Sequence, residues 1–351
     1  MTNERLLAAA THAAKTAVCC LLAVSWTASS RAADSEVNLY SYRQPFLIRP
    51  ILEEFTRQTD IRVNIVYAKK GILERLKAEG RNSPADAVLT TDVGRLHDMA
   101  EAGILQPVRS AVLERNIPPS YRHPDGLWFG LTLRARVLFV SKDRVAPHEA
   151  TSYADLASPH LKERVCIRSG KHVYNVSLLA AMVARNGRDA ARNWLSGVKK
   201  NLARRPQGND RAQAKAIKEG LCDVALANTY YMGKMATNET NPEQKEWAAA
   251  LRIVFPDQQG HGAHVNISGA ALSASAKNRD NAVKLIEFLS GQAAQRMYAE
   301  INLEYPVRPD IAPSPLVASW GSFKADSINL AEVAKFRTMA TRLVDQVGFD
   351  H

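Results

Sequence analysis

Apolar and polar positions along this chain switch repeatedly between the two-residue period of strands and the 3.6-residue period of helices. Glu36-Val-Asn-Leu-Tyr-Ser-Tyr42 predicts a strand, and in the next segment, Pro45 to Thr56, Leu47, Ile48, Ile51, Leu52 and Phe55 share one helical face. Ile61-Arg-Val-Asn-Ile-Val-Tyr67 alternates cleanly and predicts a second strand. Ile72 to Ala78 reads as a helix stopped by Gly80, and Ala87-Val-Leu-Thr90 as a third, short strand. This alternation implies an α/β class with parallel sheets, crossover helices and ligand sites at the carboxyl ends of strands.

A second series follows Trp128-Phe-Gly-Leu-Thr132, where Arg136-Val-Leu-Phe-Val140 predicts a strand entering a new lobe. Val176 to Ala184 predicts a helix capped by Asn175, and Asp210 to Glu219 another, ended by Gly220. Cys222 to Ala227, Leu251 to Phe255 and His264 to Gly269 read as strands, and Asn281 to Ser290 as a helix. The residues remaining after a leader, roughly 320, exceed what one core organises. The expected division is 33–131 with 268–320 for a first lobe, 132–267 for a second, and 321–351 for a C-terminal helical segment. Crossings near residues 130 and 268 would form a hinge beside a central cleft.

Arg5 and Lys15 precede an apolar stretch from Ala17 to Trp26, and Ser30-Arg31-Ala32 supplies small residues for a signal peptidase. A leader at 1–32, cleaved after Ala32, and a periplasmic protein are therefore expected. The stretch is short of the roughly 20 residues of a membrane span. Removing it leaves Cys166 and Cys222 in an oxidising compartment, each at the edge of a strand-like run. One disulfide between neighbouring strands is expected; two buried thiols are the alternative. The formal charge is +11, and it stays strongly positive without the leader. Such a surface favours anionic ligands. Its basic residues are scattered singly and aromatics make up only 7% of the chain, a poor pattern for nucleic acid.

The pair Tyr230-Tyr231, following a predicted strand, offers two phenols at a strand exit. Packing alone explains most such pairs. The stretches Asn82-Ser-Pro-Ala-Asp86, Trp128-Phe-Gly130, Arg134-Ala-Arg136, Pro206-Gln-Gly-Asn-Asp-Arg-Ala-Gln213, Thr229-Tyr-Tyr231, His264-Val-Asn266 and Glu304-Tyr-Pro306 change that reading, because together and in order they cover nearly the whole exported chain. They resemble the periplasmic ferric-iron-binding proteins of ABC transporters, in the branch of the cyanobacterial iron-deficiency-induced proteins. The resemblance implies a two-lobed, transferrin-like periplasmic binding protein fold with two parallel or mixed sheets flanked by helices. It also implies a monomer that delivers one Fe(III) to an inner-membrane permease and its ATPase.

By the same resemblance the tyrosine ligands fall on Tyr174, Tyr230 and Tyr231, and an anion-holding arginine on Arg134. Ferric iron is a hard cation that prefers anionic oxygen, and three phenolates balance its charge. Many members of the branch carry a histidine and a tyrosine after Ser-x-Arg in the first strand-to-helix turn, whereas this chain reads Ser41-Tyr-Arg-Gln-Pro-Phe46. Gln44 and Pro45 replace both ligands. The expectation is that the second lobe supplies all three phenolates and that carbonate, citrate, hydroxide or water completes the coordination beside Arg134 and Arg43. Gln44 or Tyr42 as a first-lobe contact is the alternative.

His261 and His264 flank a Gly-rich turn and read as hinge residues, and Asp86 and Asp92 as strand-end and cap residues. Gly208-Asn-Asp-Arg-Ala-Gln213 lacks the Lys-Ser/Thr ending of a nucleotide loop. No Gly-x-Ser-x-Gly elbow, His-Glu-x-x-His or Rossmann fingerprint is present, so an enzyme such as a secreted hydrolase is disfavoured. The more serious rival is a binding protein for thiamine, a polyamine, sulfate or a phosphonate.

Overall fold

The computed structural model describes residues 35–351, and the predicted leader with its cleavage point lies outside the described residues. Ten strands form a connected mixed sheet: β1 (Glu36–Ser41), β2 (Arg62–Tyr67), β3 (Ala87–Thr90), β4 (Leu105–Gln106), β5 (Phe129–Ser141), β6 (Val165–Cys166), β7 (Val224–Asn228), β8 (Leu251–Val254), β9 (Val265–Ser273) and β10 (Tyr305–Pro306). The main path runs β2-β1-β3-β9-β5-β7-β6, with β4 added to β9, and β8 and β10 added to β5. β1 is parallel to β2 and β3, and β6 to β7. β9 is antiparallel to β3 and β5, and β5 to β7 and β8. Of the expected parallel or mixed arrangements the mixed one is realised, because β5 and β9 run against their neighbours and need no crossover helix between them.

β5 also differs from its expected form, because one 13-residue strand replaces a short strand beginning at Arg136. Phe129–Ala135 pairs with β9, whereas Arg136–Val140 pairs with β7 and Leu138–Ser141 with β8. Every residue of β5 is buried. Gly130 and Gly269 face each other across β5 and β9. A Cβ at Gly130 would lie 2.7 Å from the Tyr121 carbonyl oxygen, and one at Gly269 would lie 2.6 Å from that of Phe129. Only glycine permits that approach.

The helix Pro45–Thr59 starts with proline, whose missing N–H costs nothing there, and buries Ile48, Ile51, Leu52 and Phe55. The helix Val173–Asn186 starts earlier than expected and corrects the cap: His172 Nδ1 accepts the Tyr174 N–H at 3.3 Å. Asn175 lies inside the first turn, buried, and its amide donates to the carbonyls of Arg168 and Ser169 at 3.1 Å each. The core consumes that side chain, so it is not available for capping. Asn209 caps the helix Asp210–Lys218 through Ala212 N–H, and Asp92 caps Val93–Glu101 through Gly94 N–H. Asp86 gathers the N–H groups of Asn38, Lys277 and Asn278.

Two cross-links organise the half of the sheet that contains β7. Cys166, in β6, is bonded to Cys222, in the turn before β7, across a sequence separation of 56. Asp210, fully buried, accepts Arg136 Nη1 at 2.7 Å, Arg168 Nη1 at 2.9 Å and the Asn228 N–H at 2.9 Å. That one carboxylate ties β5, the segment after β6 and the end of β7 to the start of a helix. Burial pushes the Asp210 carboxyl up, but Arg136 and Arg168 outweigh it and hold the group below its usual range.

Replacing both cysteines with serine is expected to cost about 4 kcal/mol for a loop of this length. A fall in the thermal midpoint, reproduced by reductant on the unaltered protein, checks this. Asp210→Asn is expected to cost about 3–5 kcal/mol, since two buried guanidiniums lose their counter-charge. Because the folded-state pKa of Asp210 is depressed, its stabilisation is full above the unfolded value near 4 and disappears as pH falls through the folded value. Acid unfolding followed by circular dichroism should therefore be shallower in Asp210→Asn than in the unaltered protein.

Candidate metal centre

Two helix starts converge on one cleft. β7 ends at Asn228, and the helix Thr229–Ala236 that follows places Tyr230 and Tyr231 in its first turn. Tyr174 lies in the first turn of Val173–Asn186. The Tyr174 and Tyr230 hydroxyl oxygens are 3.0 Å apart, and the rings of Tyr230 and Tyr231 lie 4.5 Å apart, tilted by 32°. Both helix dipoles direct positive potential toward the phenols. The three residues predicted as ligands are thus brought together, all partly buried.

Cations surround the tyrosines. Arg134 and Arg136, two apart on β5 and so on one face, each place the guanidinium carbon 5.9 Å from the Tyr174 ring centre, and Arg168 does so at 5.1 Å. Arg211 lies 5.0 Å from the Tyr231 ring centre. Arg136 is spent on Asp210 and on Asn175 Oδ1, which it reaches at 2.7 Å. Burial raises the Tyr230 phenol well above its ordinary value, the neighbouring Tyr174, Tyr231 and Asp210 raise it further, and Arg134 opposes them. Burial likewise raises Tyr231, with Tyr174 and Asp210 adding and Arg168 opposing. Burial, then Arg168 and Arg136, push His172 down to about 3 and keep it neutral.

The cleft floor is a second ionic cluster. Buried Arg43 donates from Nη2 to Glu304 Oε2 at 2.8 Å and to Ser268 Oγ, and Thr132 Oγ1 donates to the same Glu304 oxygen at 2.7 Å. Arg134 Nη1 donates to Ser268 Oγ at 3.1 Å, while its buried Nη2 has no partner among the described residues. Arg134 thus keeps a terminal nitrogen uncommitted, whereas Arg43 commits its Nη2 to Glu304 and, like Arg211, leaves only its Nε without a partner among the described residues. Gln44 is exposed, precedes the helix Pro45–Thr59 without a side-chain capping bond, and lines the cleft. Tyr42 also lines it, with its hydroxyl accepting Leu73 N–H at 3.3 Å and Arg95 4.2 Å above its ring.

The cleft has a volume of about 880 Å³, and Arg43, Lys69, Arg95, Arg134, Arg211 and Lys234 line it against only Glu239 and Glu304. Among the described residues no group of three or more His, Cys, Asp or Glu side chains is placed to hold a metal. The oxygens that do converge are phenols.

Sequence reasoning missed Arg136, Arg168 and Asp210 as the frame of the site. The i, i+2 spacing of Arg134 and Arg136 on one strand was the available signal. It also missed Asn302, 1% exposed, which lines the cleft with both side-chain polar atoms unpartnered among the described residues. Asn302 ends a one-turn π-helix, Tyr298–Asn302. No pattern in the sequence marks such a turn.

Residues 82–321 match the model of the bacterial extracellular solute-binding protein family. Iron uptake protein A1 of a Synechocystis species is 44% identical over 315 residues, covering 90% of this chain and 87% of its own length. The crystal structure of Mannheimia haemolytica ferric iron-binding protein A in an open conformation superposes with a TM-score of 0.86 at 51% identity, covering 90% of this chain and 99% of that one. A Trichodesmium protein in complex with iron and citrate superposes with a TM-score of 0.87 at 40% identity over the same shares. With a family model matching most of its length, and with likeness in sequence and fold to ferric-iron-binding proteins across nine-tenths of it, this chain belongs to the bacterial extracellular solute-binding protein family.

Proposed function

We propose that this protein is the periplasmic solute-binding component of an ABC importer, carrying Fe(III) on Tyr174, Tyr230 and Tyr231. The observation that carries the reading is the convergence of three phenols from two helix starts, with Tyr174 and Tyr230 oxygens 3.0 Å apart amid arginines. Three phenolates neutralise one ferric ion, and a cation of that charge is what it takes to displace protons from phenols whose burial favours the neutral form. The unpartnered Nη2 of Arg134 supports an exogenous anion such as carbonate or citrate as the completing ligand, with Arg43 holding the floor through Glu304 and Ser268. Gln44 is left as a first-lobe contact at most through its neutral amide.

In this reading the first lobe is 33–131 with 268–320, the second is 132–267, and β5 and β9 are the hinge strands. The segment 321–351, with helices Leu330–Lys335 and Arg337–Val347, is appended. Export with cleavage after Ala32, action as a monomer and delivery to an inner-membrane permease with its ATPase complete the proposal. The protein does no chemistry on its cargo beyond proton exchange with the ligands. Reversible capture is the activity.

Iron-free protein mixed with ferric citrate should turn orange to red through phenolate-to-iron charge transfer, and Tyr230→Phe or Tyr231→Phe should bleach the band. A colourless protein that instead retains a thiamine-like or phosphonate ligand would refute the assignment. Free phenols titrate near 10, so each ligating phenolate expels one proton at neutral pH. The logarithm of ferric affinity, from chelator competition corrected for the chelator's own protonation, should rise by up to about three per pH unit below that range. A slope of one or less would exclude a three-tyrosine site.

A further inference from the structure

A separate pocket of about 360 Å³ opens between the helices Val173–Asn186 and Arg188–Lys200 and the segment from Asp257 to His264. Its size falls at the lower end of the roughly 300–1,000 Å³ of small-molecule sites, and like them it combines an apolar wall with a few polar groups. The pocket shares no lining residue with the tyrosine cleft, although on their common helix Leu178 of the pocket lies one turn beyond Tyr174. The pocket is therefore distinct from the tyrosine cluster.

Leu178, Ala181 and Met182 supply the aliphatic wall, and Trp194 supplies an aromatic one. Trp194 is fixed in place, because its indole N–H donates to the Tyr153 carbonyl oxygen at 2.6 Å. The polar groups are unevenly paired. Asp326 is consumed by Arg185 and by the Ile328 N–H. Asp257 accepts the Tyr153 N–H on Oδ1 at 3.2 Å and forms no ion pair among the described residues. His264, 4% exposed, touches Ser177 Oγ through Nε2 at 3.1 Å, and its Nδ1 has no partner among the described residues. His261 lines the mouth and is exposed.

We propose that this pocket is a second ligand site, for a small organic amine with a flat apolar body. The Asp257 carboxylate is the uncompensated charge, and it selects an ammonium over a carboxylate or phosphate. A flat body lies against the Trp194 face, where a cationic group gains further from the ring. Burial, with neighbouring Asp155 and Asp326 adding and the Tyr153 N–H and His261 opposing, pushes the Asp257 carboxyl up, a cost that a bound ammonium relieves. A metal ion is a poorer fit, since no cluster of three or more His, Cys, Asp or Glu ligands is present among the described residues. The site does not depend on the iron reading.

The test uses the iron-free protein without its leader and 2-phenylethylamine as probe, with phenylacetate and 2-phenylethanol as charge controls, followed by calorimetry. One saturable site for the amine is expected, with at least about tenfold weaker binding of both controls. Asp257→Asn should weaken the amine about tenfold or more. Asparagine tolerates the left-handed backbone at this position (φ 58°), so the fold is retained, as a circular dichroism melt verifies. Ala190→Trp, an exposed helical position on the pocket wall, should block binding by filling the space. No saturable binding at millimolar amine, or binding that survives both substitutions, would overturn the proposal.

Discussion

One carboxylate holds the tyrosine side of this molecule together. Asp210 is buried against two guanidiniums and the backbone N–H that ends β7. Without those cations a carboxylate at that depth would be expelled or neutralised, and without the carboxylate two arginines would repel each other in a low-dielectric interior. The arrangement is stable only when β5, the segment after β6 and β7 all occupy their places. Asn228, whose N–H Asp210 binds, is one residue before the helix that presents Tyr230 and Tyr231. The position of the paired phenols therefore follows from an ionic constraint beneath them.

That constraint also sets the electrostatics of the phenols. Burial and mutual proximity keep Tyr230 and Tyr231 neutral, while Arg134 and Arg168 pull in the other direction without winning. A site poised this way does not carry three uncompensated negative charges when empty. Under the proposed function it becomes anionic only as a highly charged cation arrives, which is what separates a reversible carrier from a permanent metal site. The arginines whose hydrogen bonds face Asp210 serve the frame, and Arg134, with an open donor, faces the cleft.

The cleft floor shows a different use of ion pairing. Arg43 leaves the first strand-to-helix turn and reaches Glu304 and Ser268, so the turn that carries Gln44 and Pro45 is fastened to β9 and to the segment just before β10. Thr132 on β5 contributes to the same carboxylate. β5 thus carries contacts to both ionic clusters, Thr132 and Arg134 toward Glu304 and Ser268, and Arg136 toward Asp210. Such a strand couples the two sides of the cleft through its own pairing with β9 and β7.

Local patterning along the chain determined the strand-helix alternation, the Pro45 helix start, the Asp92 cap and the chemistry of a phenol-rich site, because these depend on residues a few positions apart. Its failures have a common cause. Asn175 reads as a cap by position, yet the tertiary core claims its amide for Arg136 and Arg168, and His172 caps instead. β5 reads as a short strand, yet two different partners extend it to 13 residues. Arg136, Arg168 and Asp210 lie 32 and 42 positions apart along the chain and meet only in the fold, and Asn302 acquires its meaning from an irregular turn facing the cleft. Residue type and spacing specify which groups can bind a hard cation. Which cations stay committed to the frame, and which keep donors open toward the cleft, is decided by long-range pairing, since buried charges take whatever partner the packed sheet brings to them.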